Sequence, residues 1–446
     1  MKQTMVPMSE GPIASRMVSF ALPIFLGNLF QQLYNTADSL IVGNFLGSNA
    51  LAAVSSSGTL IFMLIGFLNG IAMGAGVIIA RYFGAQDYKN LRIAVHTTAA
   101  FGVAASVLLT AAGVLLTPVL LRWMGTPEVV MADSITYLQL YFAGSFGFVM
   151  YNIFVGILQA VGDSKHPLYY LIVSSVVNVV LDILFIGGMG MGVEGAAIAT
   201  AISQFISAIL CLVQLLRTQD TYRLYIREIR FDREMLIRII RYGLPSGMQN
   251  SIIAFANVVV QANINAFGEM AMAGVGAYSK IEGFGFLPIT SFTMALTTFV
   301  GQNLGAEQYE RAKKGARFGI LMTLLIAELI GVIVFIFAPQ LIAAFDSNPE
   351  VIRIGIEKAR TSALFYFVLA YSHSIAAVLR GAGKAVVPMV VMLVFWCIIR
   401  VAFLTVAVPI TQSILTVYWV YPMTWVMSSI AFFIYYKKAD WLHING

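Results

Sequence analysis

Apolar residues run along this chain in twelve stretches long enough to cross a bilayer, separated by short polar breaks that carry glycine and proline. In the first half they cover about 17–45, 51–80, 93–117, 134–160, 168–187 and 193–216. In the second half they cover about 237–267, 271–300, 315–338, 360–379, 388–410 and 414–436. The two sets of six keep their punctuation in register, the mark of a duplication. Gly84-Ala85 and Tyr88 recur as Gly305-Ala306 and Tyr309, Pro118 as Pro339, Gly162 as Gly383 and Pro167 as Pro388, all displaced by 221. Pro127-Glu128-Val129 recurs as Pro349-Glu350-Val351, and Pro23 as Pro245, displaced by 222. Six crossings is an even number, so both halves enter the membrane from one side and are related by an axis along its normal. The predicted fold is an all-α polytopic membrane protein, twelve transmembrane helices arranged as two pseudo-symmetric six-helix lobes with a cleft between them. Its parts are an N-terminal lobe over 1–216, a connector over 217–241 and a C-terminal lobe over 242–446.

Composition removes the soluble alternative, since 59% of residues are apolar and only 11% charged. Cys211 and Cys397 lie inside apolar stretches and read as small packing residues. Near the N-terminus Lys2 and Arg16 precede no short apolar core with a cleavage site, so no removable signal peptide is expected. Of the 27 Lys and Arg, 21 fall in the segments on the side that holds both termini and 4 on the other. That bias predicts a multi-pass protein of the cell (inner) membrane, with both termini and the arginine-rich connector in the cytoplasm. The net charge of +6 is then a matter of topology, and no nucleic-acid partner is implied.

Polar residues inside the spans come next, because lipid makes them expensive. The fifth span carries Asn178 and Asp182 four residues apart, hence on one helical face, with Ser175 one turn before. The first span carries Gln31, Asn35 and Asp38 on a single stripe beyond Pro23, a helix-bending residue. Ser145, Asn152 and Gln159 repeat at seven-residue intervals in the fourth, and Ala196, Thr200, Ser203 and Ser207 share a face of the sixth. Amides and hydroxyls of this kind also serve to join helices, but a buried carboxylate at Asp38 or Asp182 calls for a cation or a partner. The second half differs. Its seventh span has Asn250, Asn257, Gln261 and Asn265 but no acid, and Asn178 and Asp182 map to Ile399 and Phe403. It offers instead Lys280, Glu282, Glu328, His373 and Arg400, as charge pairs or as transport residues. No enzyme motif stands: Gly381-Ala382-Gly383-Lys384 lacks the phosphate-loop spacing, HExxH and GxSxG are absent, and the four histidines are scattered.

The six-plus-six layout, the segment QQLYNTADSLIVGNFLG, the GAxxY loops and GQNLGA at Gly301 to Ala306 resemble the MATE (multidrug and toxic compound extrusion) family, nearest its DinF-type branch. The resemblance implies secondary active multidrug efflux, an antiport of H+ or Na+ against amphipathic, often cationic small molecules. It implies a cation site at Asp38, Asn178, Asp182 and Thr200, with Ala196 supplying a backbone carbonyl and Pro23 the bend of the first helix. Na+ is possible at Asp38, Asn178, Asp182 and Thr200, whose oxygens are hard donors, and two repelling carboxylates in low dielectric suit H+ as well. Candidates to line a substrate cleft are Gln31, Asn35, Tyr141, Asn152, Asn257, Gln261, Glu282, His373 and Arg400. No cofactor is expected beyond the coupling ion. The partners are small-molecule drugs or toxic metabolites and the lipid bilayer, and the protein is expected to act as a monomer. The alternative function is a flippase for lipids or lipid-linked glycans in the same superfamily; that would call for a more cationic cavity than Lys280 and Arg400 provide.

Overall fold

Each apolar stretch becomes helix, since backbone groups in lipid must satisfy one another within the segment. In chain order the helices are α1 (Ile13–Leu46), α2 (Ser48–Gly84), α3 (Tyr88–Trp123), α4 (Glu128–Ala143), α5 (Ser145–Ala160), α6 (Lys165–Asp182), α7 (Val193–Arg217) and α8 (Arg233–Asn265). They continue as α9 (Glu269–Gly305), α10 (Tyr309–Ala343), α11 (Pro349–Ala363), α12 (Tyr366–Gly381), α13 (Val386–Met392), α14 (Arg400–Thr411) and α15 (Ile414–Lys438). The computed structural model describes residues 7–124 and 126–443, without the side chains of 48–49, 51–52, 55–60 and 62–65; Lys2 and part of the second apolar stretch therefore lie outside the described residues. Among the described residues, nine spans are individually long and apolar enough to cross a membrane. Two more form as bent pairs, α4 with α5 at 48° and α11 with α12 at 53°. The twelfth crossing is α8, 33 residues long and more polar than the nine.

The fourth and tenth spans correct the sequence reading, which gave one helix each over 134–160 and 360–379. Both start earlier and break in the middle. At each break a backbone comes too close to a neighbour for a straight helix to pass. A Cβ on Gly144 would lie 2.4 Å from that of Ala201, and one on Gly331 would lie 2.2 Å from the carbonyl oxygen of Ala363. Residues 349–363 hold Arg353, Glu357, Lys358 and Arg360, which made the first arm of the tenth span read as a loop.

The duplication is written in the backbone too. Left-handed φ values recur 221 residues apart at Gly47 (86°) and Gly268 (95°), at Gln86 (55°) and Glu307 (57°), and at Gly162 (96°) and Gly383 (77°). Left-handed geometry costs a non-glycine residue about 1–2 kcal/mol, so its presence at both Gln86 and Glu307 marks one turn built twice. The π-helical segments break the symmetry. In the first half one follows Asp182, over Ile183–Gly188, and in the second one precedes Arg400, over Leu393–Ile399.

By packing, the chain forms two compact units. The body of the first is Leu26–Gly243, and the second gathers Met8–Phe25 with the chain from Leu244 onward. Thus α1 changes unit just beyond Pro23 and α8 just before Pro245. The connector lies on α3 in the first unit. Arg92 Nε donates to Glu228 Oε2 at 2.7 Å with a second contact from its Nη2 to Oε1, and the Asp232 amide donates to Thr97 Oγ1 at 3.3 Å. The buried His96 takes the Tyr225 amide on Nε2 at 2.9 Å, which leaves Nδ1 to donate to the Arg92 carbonyl at 2.6 Å.

Candidate functional site

In the first unit α1, α6 and α7 converge on a group of oxygens that have nothing to accept. Asp182 is the last residue of α6 and completely buried, and Asn178, one turn before it, is 1% exposed. Asp38 on α1 brings its carboxyl within hydrogen-bond reach of that of Asp182. Both are acceptors, and among the described residues no donor reaches either oxygen of Asp182 or Oδ1 of Asp38. Asn178 Nδ2 donates to Thr200 Oγ1 on α7 at 3.5 Å, and among the described residues Asn178 Oδ1 has no donor. The four polar side chains that the sequence assigned to one site are therefore brought together. Ala196 is fully buried one turn before Thr200, in a cluster with Val42, Ile186 and Tyr137.

The structure adds two residues that the sequence reading passed over. Gln204 Nε2 donates to the Tyr34 hydroxyl at 3.4 Å, and among the described residues the buried Gln204 Oε1 has no donor. Tyr34 interacts with both carboxylates and lies within reach of Gln31. Helical spacing was the available signal: Tyr34 follows Gln31 by three and precedes Asp38 by four, and Gln204 follows Thr200 by four. Tyr141 joins the group at its edge, its ring 6.3 Å from that of Tyr137.

Each buried acceptor without a donor costs about 1–3 kcal/mol, and two facing carboxylates add repulsion. The site as it stands is short of positive charge. Among the described residues no three of His, Cys, Asp or Glu gather, so the donor set is two carboxylates with neutral amide, hydroxyl and phenol oxygens. Such a set is chemically suited to a proton or to Na+.

The other candidates fall elsewhere. Asn152 donates to the Phe148 carbonyl at 2.8 Å and lines a small cavity with Asn69 and Phe101. Asn35 and Asn257 are exposed, and the exposed Gln261 donates to Asn265 Oδ1 at 2.8 Å. In the second unit an aromatic chain links Glu282, His373 and Arg400. Glu282 accepts from the Tyr278 hydroxyl at 2.8 Å, Phe286 meets the His373 ring at 6.2 Å, and His373 meets Trp396 at 5.4 Å. The charges do not sort into pairs: among the described residues no acid lies within 4.0 Å of Lys280 or Arg400. Lys280 is exposed and sits over the Phe345 ring, away from Arg400.

Two repeated six-span halves, one of them carrying paired carboxylates inside the membrane, define a polytopic protein of the transporter class. The MatE family model matches twice, over residues 23–184 and 245–406, and the chain belongs to that family, the multidrug and toxic compound extrusion transporters. It is 30% identical to "Probable multidrug resistance protein YoeA" of Bacillus subtilis over 86% of this chain and 84% of that protein. It is 28% identical to "Probable multidrug resistance protein NorM" of Thermotoga maritima over 86% and 84%. A solved structure, "Outward-facing conformation of a multidrug resistance MATE family transporter of the MOP superfamily", superposes with a TM-score of 0.91 at 25% identity, covering 98% of each chain.

Proposed function

We propose that the protein is a cation-coupled multidrug exporter, in which H+ or Na+ occupying the Asp38–Asp182 site drives small amphipathic, often cationic molecules out of the cell. The observation that carries this reading is the set of buried acceptor oxygens on Asp38, Asn178 and Asp182 that no donor among the described residues reaches. The names of the family's multidrug resistance proteins support the choice of cargo. A cation couples transport only if its occupancy changes the balance between inward- and outward-facing states. Pro23 is the proposed hinge: it interrupts the ladder of α1 fifteen residues before Asp38, close to where α1 passes from one packing unit to the other. The cation is substrate, and no bound cofactor is required. One charge moving inward across about 100 mV supplies about 2.3 kcal/mol, enough to concentrate a neutral substrate roughly fifty-fold outside. We place the protein in the cell (inner) membrane as a monomer, with its termini and connector in the cytoplasm. Purified protein in vesicles loaded with a lipophilic cationic dye tests the reading. Dye movement should accelerate under a proton gradient or a Na+ gradient, and no response to either would overturn it.

A further inference from the structure

The second unit buries two cations that the coupling site does not use. Lys358 on α11 is 3% exposed and Arg400, at the start of α14, is 1% exposed. Both sit over the ring of Tyr421, Lys358 Nζ at 3.8 Å from its centroid and Arg400 Cζ at 4.6 Å. Their hydrogen bonds go to neutral oxygens. Lys358 donates to Ser362 Oγ at 3.1 Å, and Arg400 sends Nε and Nη2 to the same atom, Thr424 Oγ1, at 3.2 and 2.7 Å. Among the described residues no carboxylate lies within 4.0 Å of either. The acid that interacts with both is Glu282, already bound by Tyr278. Among the described residues the buried hydroxyl of Tyr418, whose ring lies 5.4 Å from Lys358 Nζ, has no partner.

Burying a cation costs several kcal/mol unless it is paired, and a desolvated cation over an aromatic ring recovers about 2 kcal/mol or more, so the rings offset part of that cost. One acid against two cations leaves a single positive charge uncompensated. An ammonium has three donors and a guanidinium five, so donors remain to spare. Tyr421, over whose ring both cations sit, is itself partly exposed, so the cluster reaches the surface of the unit.

We propose that this cluster binds the carboxylate of an aromatic amphiphile, with Lys358 and Arg400 holding the oxyanion and Tyr421 and Phe286 packing its ring. Resting on the efflux reading, this gives the second unit a site for the anionic group of a cargo molecule. The residue decisive for that cargo, Lys358, was not among the sequence candidates.

The test is binding to the full-length protein in nanodiscs, followed by fluorescence anisotropy with a rhodamine carboxylic acid and its methyl ester. Lys358→Met and Arg400→Met should each weaken the acid by at least about tenfold, since truncation removes a buried charge partner, and leave the ester within about twofold. Lys358→Arg should retain acid binding. Wild-type protein gives a measurement that needs no variant: naphthoate should displace the acid, and naphthamide, of the same shape without charge, should not. Equal displacement by both, unchanged acid binding in Arg400→Met, or wild-type protein that binds only the ester would each overturn the assignment. Binding of both probes without transport of the ester would sink the efflux reading and leave this one standing.

Discussion

Asp182 has two buried oxygens and, among the described residues, no donor, a costly condition that a cation from outside the chain would relieve. Asparagine at the same place brings an NH2 donor and removes the repulsion, so it satisfies the site permanently. Asp38→Asn and Asp182→Asn should therefore each reduce cation-driven efflux to background in vesicles. Thermal unfolding of the same preparations should be unchanged or raised by about 1 kcal/mol per new hydrogen bond. Full coupled flux in Asp38→Asn would remove that residue from the coupling site. Helical spacing and the cost of polar groups in lipid made Asp38, Asn178 and Asp182 conspicuous, and the family resemblance joined them with Thr200 in one site. The sequence did not say which faces meet, so Tyr34 and Gln204 stayed among ordinary interface residues. Lys358 was missed for a different reason. Its neighbours Arg353, Glu357 and Arg360 suggested a wet loop, although Val351, Ile354, Gly355, Lys358 and Ser362 share the buried stripe of α11.

At the scale of elements, close backbone contacts position the helices. Gly331→Ala on α10 would drive a methyl into the carbonyl of Ala363, which as backbone cannot swing away. It should destabilise by about 1–3 kcal/mol, the range for overpacking. Gly283→Ala on α9 meets nothing within 4 Å and should be neutral or stabilising by up to about 1 kcal/mol. Thermal unfolding of the two variants in one detergent makes the comparison, and equal midpoints would contradict it. The connector has its own condition. Hydrogen bonding from Arg92 holds the Glu228 carboxyl below its ordinary range. A carboxyl lowered by folding stabilises above its unfolded value, about 4.3, and loses that effect as pH falls through the folded value. Protection of the amides in residues 218–232, relative to the intrinsic exchange rate at each pH, should be high at neutral pH and fall below about pH 4. Arg92→Ala should exchange fast at neutral pH already; exchange indifferent to both changes would show that the ion pair does not hold the connector.

At the scale of the molecule, repeat arithmetic on the sequence located the same turns that the backbone builds twice, as Gln86 and Glu307 show. Breakers survive duplication because glycine and proline act through the backbone, whatever the chemistry around them. Side-chain function does not survive in the same way: the counterpart of Asp182 is Phe403, and the second half buries Lys358 and Arg400 instead. What the sequence could not supply was the regrouping of Met8–Phe25 with the second half, since an apolar face carries no address. The charge bias gives a further expectation. With Cys211 and Cys397 replaced, single cysteines placed at 223–234 should resist impermeant thiol reagents in intact cells and react once the membrane is opened. Labelling from outside would invert the orientation.

The beginning of the chain is also the last part to be finished. The Met8 amide donates to Gln302 Oε1 at 2.7 Å, and Arg311 Nη2 donates to the Met8 carbonyl at 3.0 Å, partners 294 and 303 residues away. A ribosome adding about 5–20 residues per second needs roughly 15–60 s to deliver them. Through that interval the first helix is already in the membrane without the contacts that will hold its start. A nascent chain stalled before the eighth crossing should therefore leave Met8 open to protease, and completion of α9 and α10 should close it.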